Sequence, residues 1–451
     1  MTDARSIAVE LLDQVRSGDH TLDHLLRKAD HRLQSLRRSD RALLHALVFG
    51  VLRWQSRLDW VIAHLSNRPE KKIDPLVNII LRLGLFQMQF LDRIPDSAAV
   101  NTSVELAKKY QRKWAAGFIN GVLRRAAARP IEPVWPDRRR DPAAYLSAYH
   151  AFPAWLISRW LGRWGDEETE RLCKTVNTVP DITLRTNTLR RSREDLLPHV
   201  QEEAKTVKPS SHCPEGICLS SPHRPITQWP AFQNGWFQVQ NEAAQCVGHL
   251  VSPQPGQTVW DACAGLGTKT AHLAQLMENR GRILATDLRK NKLERLRIEM
   301  TRLGVGIVDT CPADLLQPEK VRFTEKFDRI LLDAPCTGMG VLQRNPDGKW
   351  RHDAAALQTH HRRQTALLDN ASAYLKPGGL LVYAVCSFEP EENEEVIRGF
   401  LQKHPDFVID HPRLERVDHH GKLLTSEGFL KTIPHRHHMD GFFAAALKKR
   451  R

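Results

Sequence analysis

No stretch of about 20 consecutive apolar residues occurs in this chain of 451 residues, so no membrane-spanning helix is expected. The opening MTDARSIAVE lacks a charged segment followed by an apolar run. No secretory signal is expected, and a cytoplasmic location is expected. The eight cysteines are Cys173, Cys213, Cys218, Cys246, Cys263, Cys311, Cys336 and Cys386, and no two stand at CxxC spacing. That argues against a disulfide framework and against a structural zinc site. HCPEGIC, with Cys213 and Cys218 beside His212, reads as a loop with two reduced thiols, and HRHHMD (435–440) as a polar loop. No metal site is expected. No heptad seam suggests a coiled-coil dimer, so a monomer without an obligate protein partner is expected.

Acidic residues are in deficit, and the net charge is +14. The imbalance is uneven: residues 1–150 hold 25 Lys+Arg against 16 Asp+Glu, an excess of 9 within that +14. A basic region of this kind suits a polyanion, and nucleic acid is the expected partner.

β-branched alternation is missing from residues 1 to about 130. Apolar residues recur there at helical spacing instead: Ile7, Ala8, Leu11, Leu12 and Val15, then Leu43, Leu44, Leu47, Val48 and Val51. The pattern predicts an all-α domain, with Lys108, Lys109, Arg112, Lys113, Arg124 and Arg125 on outer faces. The proline-rich 129–142 reads as a linker. A mixed segment follows, with a Trp-rich helix (Trp155, Trp160, Trp164), a strand in DITLRTNTL and loops over 208–225. The expected division is therefore 1–142, 143–234 and 235–451.

From Gly235 short apolar runs alternate with helical stretches: TVWDACAG, RILATD, GIVDTCPAD, DRILLDAP, GGLLVYAVCS and GFFAAALKK. Alternation of this kind predicts an α/β domain with a mostly parallel sheet, whose ligands bind beyond the carboxyl ends of the strands.

The residues at those ends carry the chemistry. DACAGLGTKT places Gly265 and Gly267 before a helix, where a backbone without side chains approaches a ligand closely. The third glycine of a dinucleotide fingerprint is missing, since Thr270 stands in its place. Asp287 ends the second run, where a carboxylate suits a ribose diol. Asp314 follows the third, where a carboxylate suits an adenine amino group or caps a turn. Asp333 and Cys336 follow the fourth run, and Cys386 ends the fifth. A cysteine at one strand end is ordinarily a small buried apolar residue. Two on neighbouring strands beside Asp333 point to covalent catalysis: a thiolate adds to carbon 6 of a pyrimidine, and carbon 5 then attacks an electrophilic methyl group. A carboxylic acid at N3 stabilises the developing charge, and Asp333 is placed for that.

In order along the chain, DACAGLGTKT, ATDLRKNKLERL, LLDAPCTG, LKPGGLLVYAVCS, EEN and DGFFAAALKK resemble the RNA 5-methylcytosine methyltransferases of the Nol/Nop/Sun family. DRALLHALVFGVLRW, LRLGLFQMQF, AAVNTSVELAKK and GFINGVLRR resemble the NusB-like RNA-binding domain. The fusion implies small-subunit ribosomal RNA as substrate. It implies an all-α NusB-like domain joined, through a middle α+β RNA-binding segment, to a Rossmann-like methyltransferase domain that uses S-adenosyl-L-methionine. By position the resemblance makes Cys386 the nucleophile and associates Cys336 with product release. It assigns the cofactor loop to Cys263, Ala264, Gly265, Leu266, Gly267, Thr268 and Lys269, with Asp287, Asp314 and Asp333. The chain departs from the family at two places. The usual Ala-Pro-Gly-Gly-Lys is Gly265-Leu266-Gly267-Thr268-Lys269, and Ala384-Val385 replace the usual Ser-Thr before the second cysteine.

Between the cysteines, QRNPDGKWRH (343–352) suits two roles. Arg344, Lys349 and Arg351 meet phosphate while Trp350 stacks, or the segment is a basic surface loop anchored by its tryptophan. Two other functions fit parts of the sequence. A non-catalytic RNA-binding assembly factor matches the altered glycine loop. A nucleotide-dependent oxidoreductase is disfavoured by the two cysteines.

Overall fold

The computed structural model describes residues 3–18, 20–128, 133–317, 319, 323–411 and 423–451. The chain forms two compact units. One holds the residues up to Thr178 together with Leu342–Ala354; the other holds Val179–Val341 and Ala355–Arg451.

The first unit is built from helices, among them Ala4–Ser17, Arg38–Ser66, Pro75–Phe90, Asp96–Lys109, Ala116–Ala128, Pro142–His150 and Ala154–Val176. The stripe Ile7, Ala8, Leu11, Leu12 and Val15 is buried as its spacing predicts. The Ser6 N–H donates to Asp3 Oδ1 at 2.8 Å and caps that helix. Pro75–Phe90 begins at an Asp74 cap with proline in its first turn and is buried continuously from Val77 to Gln87. A helix apolar on nearly every side belongs at the centre of a bundle. Gly50 lets Arg38–Ser66 cross it closely, since a Cβ there would lie 2.0 Å from the Phe86 ring. Of the basic residues expected on outer faces, Lys108, Lys109, Lys113, Arg124 and Arg125 are exposed. Arg112 is half-buried and pairs with Asp74 at 3.2 Å.

Within the stretch read as a linker, 129–132 lie outside the described residues. Pro133–Asp141 forms neither helix nor strand, yet it is packed. Trp135 stacks on Trp60 with ring centroids 6.4 Å apart and lies 5.2 Å from the Arg57 guanidinium. One tryptophan ties down a stretch whose prolines suggest a free connection.

Leu342–Ala354 also belongs to the helical unit. Lys349 is fully buried there. Its Nζ donates to Asn177 Oδ1 at 2.6 Å, Arg53 O at 3.0 Å and Ala151 O at 3.2 Å, and it lies 3.7 Å from the Phe152 ring centroid. Trp350 Nε1 donates to Leu52 O at 2.7 Å. The tryptophan anchors, as one of the two expected roles had it. Lys349 does not meet solvent phosphate, because its ammonium is spent on carbonyls.

The second unit has two sheets. The smaller is antiparallel, in the order β2-β3-β1-β4, from β1 (Ile182–Thr186), β2 (Ala204–Pro209), β3 (Gly216–Pro222) and β4 (Phe237–Val239). β3 lies inside the 208–225 stretch expected to be loops. Its prolines and serines sit at the ends of a short strand, while Ile217, Cys218 and Leu219 are buried within it.

The larger sheet comprises β5 (Thr258–Asp261), β6 (Arg282–Asp287), β7 (Val308–Pro312), β8 (Phe327–Asp333), β9 (Leu375–Val385), β10 (Phe407–Ile409), β11 (Leu430–Thr432) and β12 (Phe442–Lys449). Its order is β10-β12-β9-β8-β5-β6-β7, with β11 paired to β12. β7, β6, β5, β8 and β9 run parallel, and β12 is antiparallel to β9. Leu380 to Val385 are almost wholly buried, as expected of a strand covered on both faces. The chain thus combines an all-α unit with an α/β unit whose larger sheet is mixed.

Candidate active site

The strand order reverses between β5 and β8, so their carboxyl ends flank the crevice where such sheets bind ligands. β5 delivers Asp261 and then the loop that precedes the helix Thr268–Leu276. The Ala262 N–H donates to Leu331 O and the Ala264 N–H to Thr286 O, both at 2.8 Å, which pins the loop to the neighbouring strands. The two glycines do different work. Both have positive φ, +57° at Gly265 and +83° at Gly267. A Cβ at Gly265 would meet nothing within 4 Å, so that backbone lies open. A Cβ at Gly267 would lie 2.5 Å from Leu296 Cγ. Gly267 is needed for packing against the helix Lys290–Leu303, not for ligand approach.

A cavity of about 580 Å³ runs from this loop to both cysteines. Cys263, Ala264, Gly265, Leu266, Thr268, Asp287, Asp314, Asp333, Cys336 and Cys386 line it; Gly267 and Lys269 do not. Asp287 accepts from the Gly265 N–H at 3.2 Å and the Arg289 N–H at 2.8 Å. Asp314 caps its own turn, accepting from the Leu316 N–H at 3.0 Å and Gln317 Nε2 at 2.7 Å. Burial pushes the Cys263 thiol well above its ordinary range.

Cys336 lies three residues beyond β8 and Cys386 immediately beyond β9. Their sulfurs are 3.2 Å apart, and both thiols are unbridged. The hydrogen bond to Cys386, and then burial, push the Cys336 thiol well above its ordinary value. The two sulfurs lie within hydrogen-bond distance, and either can donate to the other. Lys269 Nζ meets Asp333 Oδ2 at 2.6 Å. Burial pulls the lysine pKa down, but Asp333 and then Cys386 more than offset it, so the ammonium stays charged beside both.

Asp261 went unassigned by sequence reasoning, although it heads the glycine motif. It is fully buried, and its Oδ2 accepts from Thr270 Oγ1 at 2.7 Å. Thr270 thus fills the third-glycine position with a hydrogen-bond donor. Asp261 Oδ1 has no partner, and burial raises the carboxyl pKa to about 7. Arg363 and Leu367 on the helix Ala354–Ser372 also face the cavity. Helical periodicity alone does not distinguish them from solvent-facing residues.

The cysteines of HCPEGIC do not converge on His212. Cys213 lies 3.8 Å from Cys246, and Cys218 lies 3.9 Å from Thr183 Oγ1. Among the described residues, the side chains that bring three potential metal-ligand atoms within 4.8 Å of one another are Glu215, His249 and His272, outside the cavity just described.

The chain is 38% identical to a probable ribosomal RNA small subunit methyltransferase B of Synechocystis, with 100% of both chains covered. The chain belongs to that methyltransferase family. Residues 249–448 match the 16S rRNA methyltransferase RsmB/F family, 2–128 the NusB family, and 152–227 the ferredoxin-like domain of the RsmF/B-like methyltransferases. A probable methyltransferase B of Bacillus subtilis is 34% identical, covering 100% of this chain and 99% of its own. The crystal structure of PH0851 superimposes with a TM-score of 0.80 at 28% identity, covering 98% of each chain.

The cavity fits the sulfonium donor that methyltransferases of this fold use. Its volume lies in the range of small-molecule sites, Gly265 leaves open backbone along it, and Asp287, Asp314 and Asp333 complement a cationic ligand with hydroxyl and amino donors. No described helix is long and apolar enough to cross a membrane.

Proposed function

We propose that this RsmB/F methyltransferase uses S-adenosyl-L-methionine to methylate carbon 5 of a cytosine in small-subunit ribosomal RNA, through a covalent bond to Cys386. The pairing of Cys336 and Cys386 at 3.2 Å, in the cavity that Gly265, Asp287 and Asp314 line, carries this reading. The names of the full-length relatives supply the RNA.

Cys386 adds as thiolate to carbon 6 of the pyrimidine, and the electron pair pushed to carbon 5 makes that atom nucleophilic. The Lys269 ammonium, beside Asp333 and Cys386, complements negative charge on that sulfur. Asp333, taking a proton from its Lys269 partner as the base binds, donates it to N3 while charge develops on the ring. S-adenosyl-L-methionine, when bound, supplies an electrophilic methyl group, and the loop Cys263–Thr268 with Asp287 and Asp314 would hold it. A base, the Cys336 sulfur as thiolate or a water beside it, then takes the carbon 5 proton; the C–H electron pair restores the double bond and Cys386 leaves as thiolate. The target base must be flipped out or already unpaired. The NusB-like domain and the 143–234 segment grip the RNA.

The test is methyl transfer from labelled S-adenosyl-L-methionine to unmethylated small-subunit ribosomal RNA. Cys386→Ala loses turnover, and Cys336→Ala accumulates a protein–RNA adduct that survives denaturation. Turnover by Cys386→Ala would sink the assignment.

A further inference from the structure

The nucleophile and its partner are held in place differently. Cys386 directly follows β9, which is bonded on both sides: Ala384 pairs with Asp333 of β8, and Val385 with Phe443 of β12. The sheet itself positions this sulfur. Cys336 sits on a loop three residues past the end of β8, and the larger sheet does not reach it.

The Cys336 sulfur accepts from the Gly338 backbone N–H, and the residues on either side of it are held through Glu392. This side chain is fully buried. Its Oε1 accepts from the Thr337 N–H at 2.8 Å and from Gln364 Nε2 at 3.2 Å, and its Oε2 accepts from Thr337 Oγ1 at 2.6 Å. Gln364 Nε2 also donates to Pro335 O at 3.1 Å. Pro335 and Thr337 are the two residues flanking Cys336. The opposite edge of the clamp is fixed to β9, because Tyr383 OH donates to the Glu392 carbonyl at 2.6 Å. The next residue, Asn393, donates through Nδ2 to Ser387 O at 3.2 Å, directly after Cys386. Two consecutive residues thus hold the neighbours of the two cysteines. A carboxylate buried without a cation bonded to it is costly unless its hydrogen bonds are all met, and here three donors meet it.

We propose that Glu392 is a positioning residue that fixes the Cys336 sulfur against Cys386, and that it serves release of the methylated base rather than formation of the covalent bond. This rests on the cysteine roles proposed above. Loss of Glu392 frees the Cys336 loop, while β8 and β12 still hold Cys386. The covalent bond forms but is not broken.

The experiment compares wild type, Cys336→Ala, Glu392→Ala and Glu392→Gln on unmethylated small-subunit ribosomal RNA with S-adenosyl-L-methionine. It reads kcat, KM for RNA, and the denaturation-resistant adduct. Glu392→Ala should lower kcat by about 10²-fold, as displacement of a reacting group by about 1 Å does, with KM for RNA falling alongside it, kcat/KM little changed, and adduct accumulating as in Cys336→Ala. Glu392→Gln keeps an acceptor for the Thr337 N–H and should fall between Glu392→Ala and wild type. The adduct guards against misfolding, since a collapsed site cannot form it. If Cys336→Ala accumulates adduct and Glu392→Ala does not, whether active or dead, the Glu392 proposal is overturned alone. If Cys336→Ala gives no adduct, the cysteine assignment fails and this proposal falls with it.

Discussion

Lys269 and Asp333 meet at 2.6 Å between the first turn of the helix Thr268–Leu276 and the end of β8. The pair joins the cofactor loop to the cysteines, because the Lys269 ammonium also feels the Cys386 sulfur. Lys269→Met removes that charge while keeping the stem. A preorganised charge aimed at developing charge is worth about 10²–10³ in rate, so kcat should drop by about that factor with the fold intact. Steady-state kinetics beside a thermal melt check this. A normal kcat in the variant would remove Lys269 from the site.

The two glycines of the loop should separate stability from affinity. Gly267→Ala drives a Cβ to 2.5 Å from Leu296 Cγ at a left-handed φ. It should cost about 1–3 kcal/mol through overpacking, besides about 1–2 kcal/mol of backbone strain. Gly265→Ala carries only the strain, because its Cβ enters open space, but its methyl narrows the cavity. Urea unfolding should rank Gly267→Ala below Gly265→Ala. The KM for S-adenosyl-L-methionine should rise for Gly265→Ala.

Asp261 predicts a pH dependence of stability. Its carboxyl titrates at about 7 in the folded chain and at about 3.9 when unfolded. Between these values the folded state holds a proton that the unfolded state has lost. Stability from this group is full below about pH 4 and falls as pH rises to about 7, by at most about 1.4 kcal/mol per unit, then levels off. Asp261→Asn keeps an acceptor for Thr270 and removes the titration. Denaturant melts of both proteins from pH 4 to 8 should differ by that slope.

Lys349 gives the opposite sign. Burial lowers its pKa well below the ordinary lysine value. From that depressed value up to about 10.4 the unfolded chain binds a proton that the folded chain does not, so stability rises with pH across that window. Lys349→Ala strands three acceptors and leaves a void, at about 2–5 kcal/mol. Lys349→Met keeps the packing and should cost less. Chemical denaturation of the two variants at fixed pH decides the order.

Elements whose apolar residues repeat were legible. The stripe from Ile7 to Val15 and the run Leu380–Val385 announce a helix face and a doubly covered strand, because burial there follows backbone period. The strand ends followed from the alternation, and with them Asp287, Asp314, Asp333, Cys336 and Cys386, which line the cavity, but not Arg363 and Leu367. Three features were not legible. β3 hides among prolines and histidines, since a short antiparallel strand needs only three buried residues. Lys349 carries a charge, which composition assigns to the surface until its carbonyl partners are seen. Glu392 is one acid among Glu389, Glu391, Glu392, Glu394 and Glu395, and only the tertiary placement of Thr337 and Gln364 singles it out.

The segment after Val341 has a consequence for how this chain can be divided. Lys349 and Trp350 are encoded between the two cysteines, yet every backbone carbonyl they bond to, on Leu52, Arg53 and Ala151, comes from the helical N-terminal region. A gene shortened to begin at Val179 would still carry an amine and an indole matched to absent acceptors. A homologue lacking the helices should therefore hold different residues at these two positions.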